Sequence, residues 1–412
     1  MPHERLLPPR YDADGLAGVL PAVAESLGVS LEVSAGASRG VPSAANGAGG
    51  LPVSPTGSGT ESAGHRTVPL PPSRRAVVVL VDGLGYELIR RRGGHAPFLR
   101  SLLPAAHRVT AGFPSTTATS MGTFGTGLSP GAHGLLGYEV LVPGEDRLVN
   151  ELSWEDGPDP LTWQPRPTVF EQAERAGVRV TRVGPAFFEG SGLTQAALRG
   201  GRFSAASTLA DRVDASLTAV RTDARALVYL YWGDLDKVGH VHGCQSWEWG
   251  DELEAIDAEL ARLVASVPRD TAVYITADHG MVDAPHALRI DLAHDVELAT
   301  GVRHVGGEPR ALQLYCESGT AADVEQTWRE RVGERAWIRT RDQAVAQGWF
   351  GPVSEVNLPR IGDLVVAMRD NFAIVDSRRA RPQLLALIGL HGSLTAEESA
   401  VPFFHVPARD SA

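Results

Sequence analysis

The run Ala76–Val81 (AVVVLV) is continuously apolar and stops at Asp82-Gly83. A strand without polar alternation has both faces buried, which is the signature of a parallel sheet covered by helices. Comparable runs recur at Val178–Val183, Leu227–Trp232, Ala272–Thr276 and Leu364–Met368. Helical patterns separate several of them. Tyr86–Leu103 reads as a helix with a loop at Gly93-Gly94, and Thr168–Ala176 as another. In Asp251–Val267 the residues Leu253, Ile256, Leu260, Leu263 and Val264 form one apolar stripe. Alternating strands and helices imply an α/β fold, a three-layer, mostly parallel sheet occupying 74–285 and 360–412. Between 286 and 359 the pattern changes: Ala311–Tyr315, a helix at Ala321–Val332 and Ala336–Thr340 read as a small α+β cap insertion. Ahead of the sheet, an N-terminal segment at 1–33 carries an amphipathic helix, Leu16–Leu27, expected to lie on the main body. Residues 34–73 are rich in Gly, Ala, Ser and Pro with almost no large apolar side chain. Such a stretch cannot offset its ordering entropy by burial, so a flexible surface loop is expected there.

Charge and composition narrow the function. Forty-nine acidic against 38 basic residues give a net charge of −11, an unsuitable balance for gripping a nucleic-acid polymer through its phosphates. Lys237 is the sole lysine, so no Gly-Lys-Ser/Thr phosphate loop exists. Cys244 and Cys316 are too few for a disulfide framework and are expected as reduced thiols. No stretch approaches the ~18 apolar residues of a membrane helix, and Met1–Asp14 has no apolar core of a secretory signal. A cytoplasmic protein without membrane attachment is the expectation.

In open α/β sheets ligands bind beyond the carboxyl ends of the strands. Asp82 follows the first run, Asp236 and His240 follow Leu227–Trp232, and Asp278 and His279 follow Ala272–Thr276. His391 lies later, in Gly389-Leu390-His391-Gly392. Singly, an Asp before Gly is a turn residue and a lone His a hydrogen-bonded structural group. Jointly, three carboxylates and three imidazoles at strand exits form a donor set suited to a divalent metal, zinc above all. Ser115, Thr116 and Thr117 precede small residues at an expected helix start, where backbone N–H groups favour an anion. Plain helix capping is the competing reading for these hydroxyls.

Four blocks resemble the alkaline phosphatase superfamily, and within it the nucleotide pyrophosphatase/phosphodiesterase branch: VDGLGYELI from Val81, FPSTTATSMGTFGTGLSPGAHGL from Phe113, DKVGH from Asp236 and TADHGM from Thr276. LHG at Leu390 is a weaker fifth. The resemblance implies two divalent ions, zinc by expectation. One would be held by Asp236, His240 and His391, the other by Asp82, Asp278 and His279 together with a hydroxyl nucleophile. Counting back from Thr126-Gly127 and His133-Gly134 places that nucleophile at Thr117, with Thr116 as the fallback. The resemblance thus implies a hydrolase of phosphoric diesters working through a threonyl-phosphate, its substrate a small phosphate ester such as a nucleotide. Where these phosphodiesterases place an Asn for a phosphate oxygen, this chain has Tyr138. That departure leaves open a phosphomonoesterase or phosphonate hydrolase of the same fold, and a degenerate metal-binding module as a reading of another class. Trp232, Trp247 and Trp249 could stack an aromatic leaving group or simply pack, and His242 and His286 are less well spaced stand-ins for His240 and His279.

Overall fold

The computed structural model describes residues 6–32 and 68–409; residues 34–67 of the expected loop lie outside the described residues. Two sheets carry the architecture. In chain order, β1 (Arg75–Val81), β2 (His107–Thr110), β3 (Arg179–Gly184), β4 (Arg202–Ala205), β5 (Ala226–Trp232) and β6 (Thr271–Thr276) belong to the central sheet. The strands β7 (Val302–Glu308), β8 (Ala311–Cys316), β9 (Ala336–Thr340) and β10 (Leu364–Met368) form the smaller one, and β11 (Ala400–Val406) returns to the first. The central order is β2-β11-β6-β1-β5-β3-β4. Only β11 runs against the rest, pairing antiparallel with β2 and β6. The register sets Val81 beside Trp232 and Leu80 beside Thr276, so the strand exits that carry Asp82, Asp236 and Asp278 reach one edge of the sheet together. Helices cover both faces. Their starts follow local chemistry: Thr168 and Glu171 form a reciprocal capping box on the helix Val169–Arg175, as do Thr208 and Asp211 on Leu209–Thr222. No helix among the described residues is long and apolar enough to cross a membrane.

Two expectations are corrected. Leu364–Met368 is not in the central sheet; it pairs antiparallel with both β8 and β9 in the small sheet. The β8-helix-β9 unit is therefore split, with β10 between its two parallel strands. The N-terminal helix, Val19–Ser26 after a 3-10 turn at Leu16–Gly18, is buried almost all round instead of lying on the surface with one face out. Pro21 packs so closely on Gly127 that a Cβ there would sit 2.7 Å from the Pro21 ring.

The segment after the helix Thr117–Thr126 is held by a neutral histidine. His133 ends a short helix at Gly134, whose φ of 87° and closeness to Arg360 exclude a side chain. The His133 Nδ1 accepts from the Leu135 N–H at 3.1 Å, and its Nε2 lies 3.1 Å from the Thr123 hydroxyl. Burial, then the nearby Arg360 charge, push its pKa down to about 3. The unfolded chain takes up a proton near pH 6.5 that the folded chain refuses, so this stability is present at neutral pH and fades as pH falls from about 6.5 towards 3. Between pH 7 and pH 5 the wild type should lose about 2 kcal/mol more in urea unfolding than His133→Gln does; equal losses would remove His133 from the acid limb.

Candidate metal centre and active site

Six side chains named from the sequence meet at the common edge. The helix Asp234–His242 puts Asp236 and His240 one turn apart, with Asp236 Oδ2 3.2 Å from His240 Nε2. His391 enters beside them, its Nε2 3.9 Å from Asp236 Oδ1. On the other side, His279 Nε2 lies 3.3 Å from Asp82 Oδ1 and 3.4 Å from Asp278 Oδ2. The Gly83 backbone, at φ 74°, passes so near Asp236 that a Cβ would lie 3.1 Å from its Cα. This is why Asp82 must be followed by glycine. The donor atoms of Asp236, His240 and His391 lie within 4.8 Å of one another, as do those of Asp82, Asp236 and His279. Asp236 thus faces both groups.

The donors fit a divalent cation on two independent grounds. Asp82 Oδ1, Asp236 Oδ1 and Asp278 Oδ2 are sealed from solvent with no hydrogen-bond partner, a costly state for carboxylates unless a cation compensates them. Burial, followed by the charges of Asp278 and Asp236, raises Asp82 well above the usual carboxylate range. Burial and Asp236 push Asp278 up to about 7. Second, each imidazole is anchored through Nδ1 to a backbone carbonyl: His240 to Gly389 at 2.7 Å, His279 to Gly280 at 3.0 Å, His391 to Ser115 at 3.0 Å. An Nδ1–H donated to a carbonyl leaves Nε2 as the bare, lone-pair nitrogen, the arrangement typical of metal-ligating histidines.

Thr117 is the first residue of the helix Thr117–Thr126, and its Oγ1 lies 3.3 Å from His279 Nε2. Thr116 is the N-cap residue but makes no capping bond, and it is buried. Ser115 is also buried, donating to Ser393 O at 2.8 Å. The half-buried Thr117 is therefore the one hydroxyl of the three that is directed at the donor cluster.

Two neighbours escaped sequence reasoning. Tyr231 donates to Asp82 Oδ2; it lies within an apolar strand run, where nothing marks it. Glu308, at the end of β7, reaches from the small sheet to within 4.0 Å of His391 Nδ1, and burial pushes its carboxyl up to about 8. Only the topology of the insertion brings it there. Tyr138, which stands where the resemblance expects an Asn, lines the cleft with Thr116 and Thr117. The doubtful candidates fall outside. Trp249 is fully buried, Trp232 donates to Glu252, Trp247 is exposed, and none of the three lines the cleft. His242 faces Glu248 and His286 bonds to Leu385 O. Lys237 pairs with Asp234, and both cysteines are free thiols. The cleft over the cluster has a volume of about 1790 Å³.

Comparison with known proteins places the chain among relatives. Among curated proteins, an uncharacterised pyrophosphatase/phosphodiesterase of Schizosaccharomyces pombe is 26% identical over 219 residues, covering 50% of this chain and 44% of that protein. A phosphopentomutase of Clostridioides difficile is 31% identical over 117 residues, 28% of each chain. The chain thus matches less than half the length of either relative. Among solved structures, murine ectonucleotide pyrophosphatase/phosphodiesterase 5 shares the fold at a TM-score of 0.65 and 18% identity, over 81% of this chain and 90% of that one. An inactive threonine-to-alanine variant of that mouse protein, in complex with AMP, gives 0.65 at 17% identity over 82% and 90%. Phosphonoacetate hydrolase from Sinorhizobium meliloti, in complex with phosphonoacetate, gives 0.63 at 19% identity over 81% and 90%. The model of the type I phosphodiesterase/nucleotide pyrophosphatase family matches residues 76–394, from the first central strand past His391, and the chain belongs to that family, within the alkaline phosphatase superfamily.

Proposed function

We propose that the protein is a metal-dependent phosphoric diester hydrolase of the phosphodiesterase/nucleotide pyrophosphatase type, with Thr117 as nucleophile. The observation that carries this reading is the Thr117 hydroxyl, at the start of a helix and 3.3 Å from His279 Nε2 within the cluster of sealed carboxylates. Asp236, His240 and His391 would hold one zinc ion; Asp82, Asp278, His279 and Thr117 would hold the other. When bound, such ions supply Lewis acidity to phosphate oxygens and favour the alkoxide of a coordinated hydroxyl. The chain's own residues do the rest. The helix N-terminus favours negative charge on Thr117 and on the phosphoryl group beside it. Thr117 Oγ1 attacks phosphorus in line, and the ester oxygen leaves with its electron pair. Water then cleaves the threonyl-phosphate, so two inversions leave the configuration at phosphorus retained. The Nδ1 anchors hold the three imidazoles in place throughout.

The roomy cleft favours a substrate with a bulky organic group on the phosphate, and the AMP complex of the related mouse protein supports a nucleotide-like one. The phosphonoacetate complex of the Sinorhizobium enzyme keeps phosphonate hydrolysis as the second reading. With zinc present, bis-p-nitrophenyl phosphate should turn over faster than p-nitrophenyl phosphate, and phosphonoacetate should remain intact. The reverse order selects a monoesterase or phosphonatase, and zinc binding without any turnover selects a non-catalytic metal protein.

Because Asp236 faces both donor groups, Asp236→Asn should lower diesterase activity by more than about 100-fold, beyond the effect of losing a residue that merely supports a ligand. Elemental analysis should show less zinc than the wild type retains. Zinc should raise the melting temperature of the wild type more than that of the variant, since a ligand bound only by the folded state stabilises it. Full activity after exhaustive chelation would reject the metal-dependent mechanism.

A further inference from the structure

One end of the cleft is bordered by an arginine that the protein leaves without a hydrogen-bonded or ion-paired partner. Arg182 lies on β3, in register with Phe203 on β4 and Tyr229 on β5. Its Nε and Nη1 are sealed from solvent and have no hydrogen-bond partner, and no carboxylate lies within ion-pair distance among the described residues. More deeply buried arginines are treated differently. Arg212 donates to the carbonyls of Ala206, Ser207 and Tyr231, and Arg310 is paired with Glu398. Among the described residues, Arg182 is the only arginine with two sealed, unpartnered guanidinium nitrogens. Guanidinium nitrogens sealed without a partner are costly, and this half-buried side chain borders the cleft.

A continuous wall joins it to the donor cluster. Tyr231 bonds to Asp82 and its ring lies 5.3 Å from that of Phe188. Phe188 and Phe203 both approach Gly184, within 3.7 Å and 3.6 Å of where a Cβ would stand. The Arg182 guanidinium carbon lies 5.7 Å from the Phe203 ring centre. All of these residues line the same cleft. The path from the centre is therefore aromatic along its length and cationic at its end.

We propose that Arg182 forms an anion subsite that takes a second oxyanion, a carboxylate or a phosphate, on the organic part of a phosphate ester held at the metal centre. The proposal rests on the phosphate-centre reading given above and adds the substrate class: dianionic esters whose two charged ends are separated by an apolar or unsaturated body. The guanidinium matches oxyanions in charge and planar geometry, and the intervening rings accept the body between the two anions.

The test uses the zinc-loaded protein and titration calorimetry. Three series of non-hydrolysable probes are compared at two to eight methylenes: alkylphosphonates, ω-carboxyalkylphosphonates and alkane bisphosphonates. In the wild type, at one chain length, a second anion should tighten binding by about 10-fold or more over the plain alkylphosphonate, as a charge-assisted contact does. The series with the larger gain identifies the anion as carboxylate or phosphate. Arg182→Met should abolish that gain, and Arg182→Lys should restore part of it. Because no hydrogen-bond or ion-pair partner is lost and Met keeps apolar contact with the Phe203 ring, Arg182→Met should melt close to or above the wild-type temperature, whereas loss of a structural arginine would lower it by several degrees. The subsite is overturned if no chain length shows a gain in the wild type, or if the gain survives in Arg182→Met. If plain alkylphosphonates fail to bind the wild type at all, the phosphate-centre reading falls and the subsite falls with it.

Discussion

Thr117→Ala is expected to lower kcat/KM for bis-p-nitrophenyl phosphate by on the order of 10⁴-fold or more, the scale seen when a nucleophile is removed from a covalent mechanism. The folded protein and its zinc content should be retained, since Thr117 is a half-buried first residue of its helix and three other donors remain in its group. Thr117→Ser keeps the hydroxyl and should keep measurable turnover. Thr116→Ala is the informative companion: Thr116 is buried ahead of the helix and, unlike Thr117, makes no hydrogen bond with His279, so its loss should cost no more than about tenfold in rate, the scale of disturbing a supporting contact. If Thr117→Ala stays within tenfold of the wild type while Thr116→Ala is inactive, the nucleophile is Thr116.

The largest effect on stability should come from a buried ion pair that belongs to none of the sequence motifs. Arg310 and Glu398 are both fully buried and joined by two bonds of 2.7 Å. Arg310 also donates to the carbonyls of Phe372 and Met368. Glu398 accepts from the Ser393 N–H at 3.0 Å and from the Thr395 hydroxyl. The pair therefore joins the small sheet to the loop carrying His391, and Ser393 O in turn receives the Ser115 hydroxyl at 2.8 Å. Removing one member strands a buried charge, which typically costs about 3–5 kcal/mol. Arg310→Met should show this loss in urea unfolding, and Arg310→Met with Glu398→Leu should recover much of it because neither charge then remains. A loss below about 1 kcal/mol for the single variant would mean that the pair is not the tie between the two sheets.

The seven proposed site residues could be named from the sequence because each follows an apolar run or sits in a short local motif. Asp82 ends β1, Asp236 and His240 share one helical face, and Asp278 and His279 are adjacent after β6. Strand ends are local properties of sequence, and the α/β topology converts them into a common edge. What escaped depends on longer-range placement. Leu364–Met368 has the same apolar texture as β1, and such a run is compatible with a buried strand in either sheet. Its assignment requires knowing that β8 and β9 leave a gap between them. The amphipathic look of Leu16–Leu27 could not foretell that the helix is enclosed on nearly every side. Glu308 and Arg182 follow the same logic: nothing in either residue's local sequence indicates what it faces across the cleft.

The position of β11 bears on how the enzyme comes into being. It separates β2 from β6, so its two neighbours have no direct pairing until it is inserted. His391 also arrives only after the whole small sheet has been made. A nascent polypeptide halted before residue 390 would hold five of the six acidic and imidazole donors but neither the bridging strand nor the last histidine. The proposed metal centre can therefore close only after residues 390–406 have been made, and a chain truncated before residue 390 should lack diesterase activity.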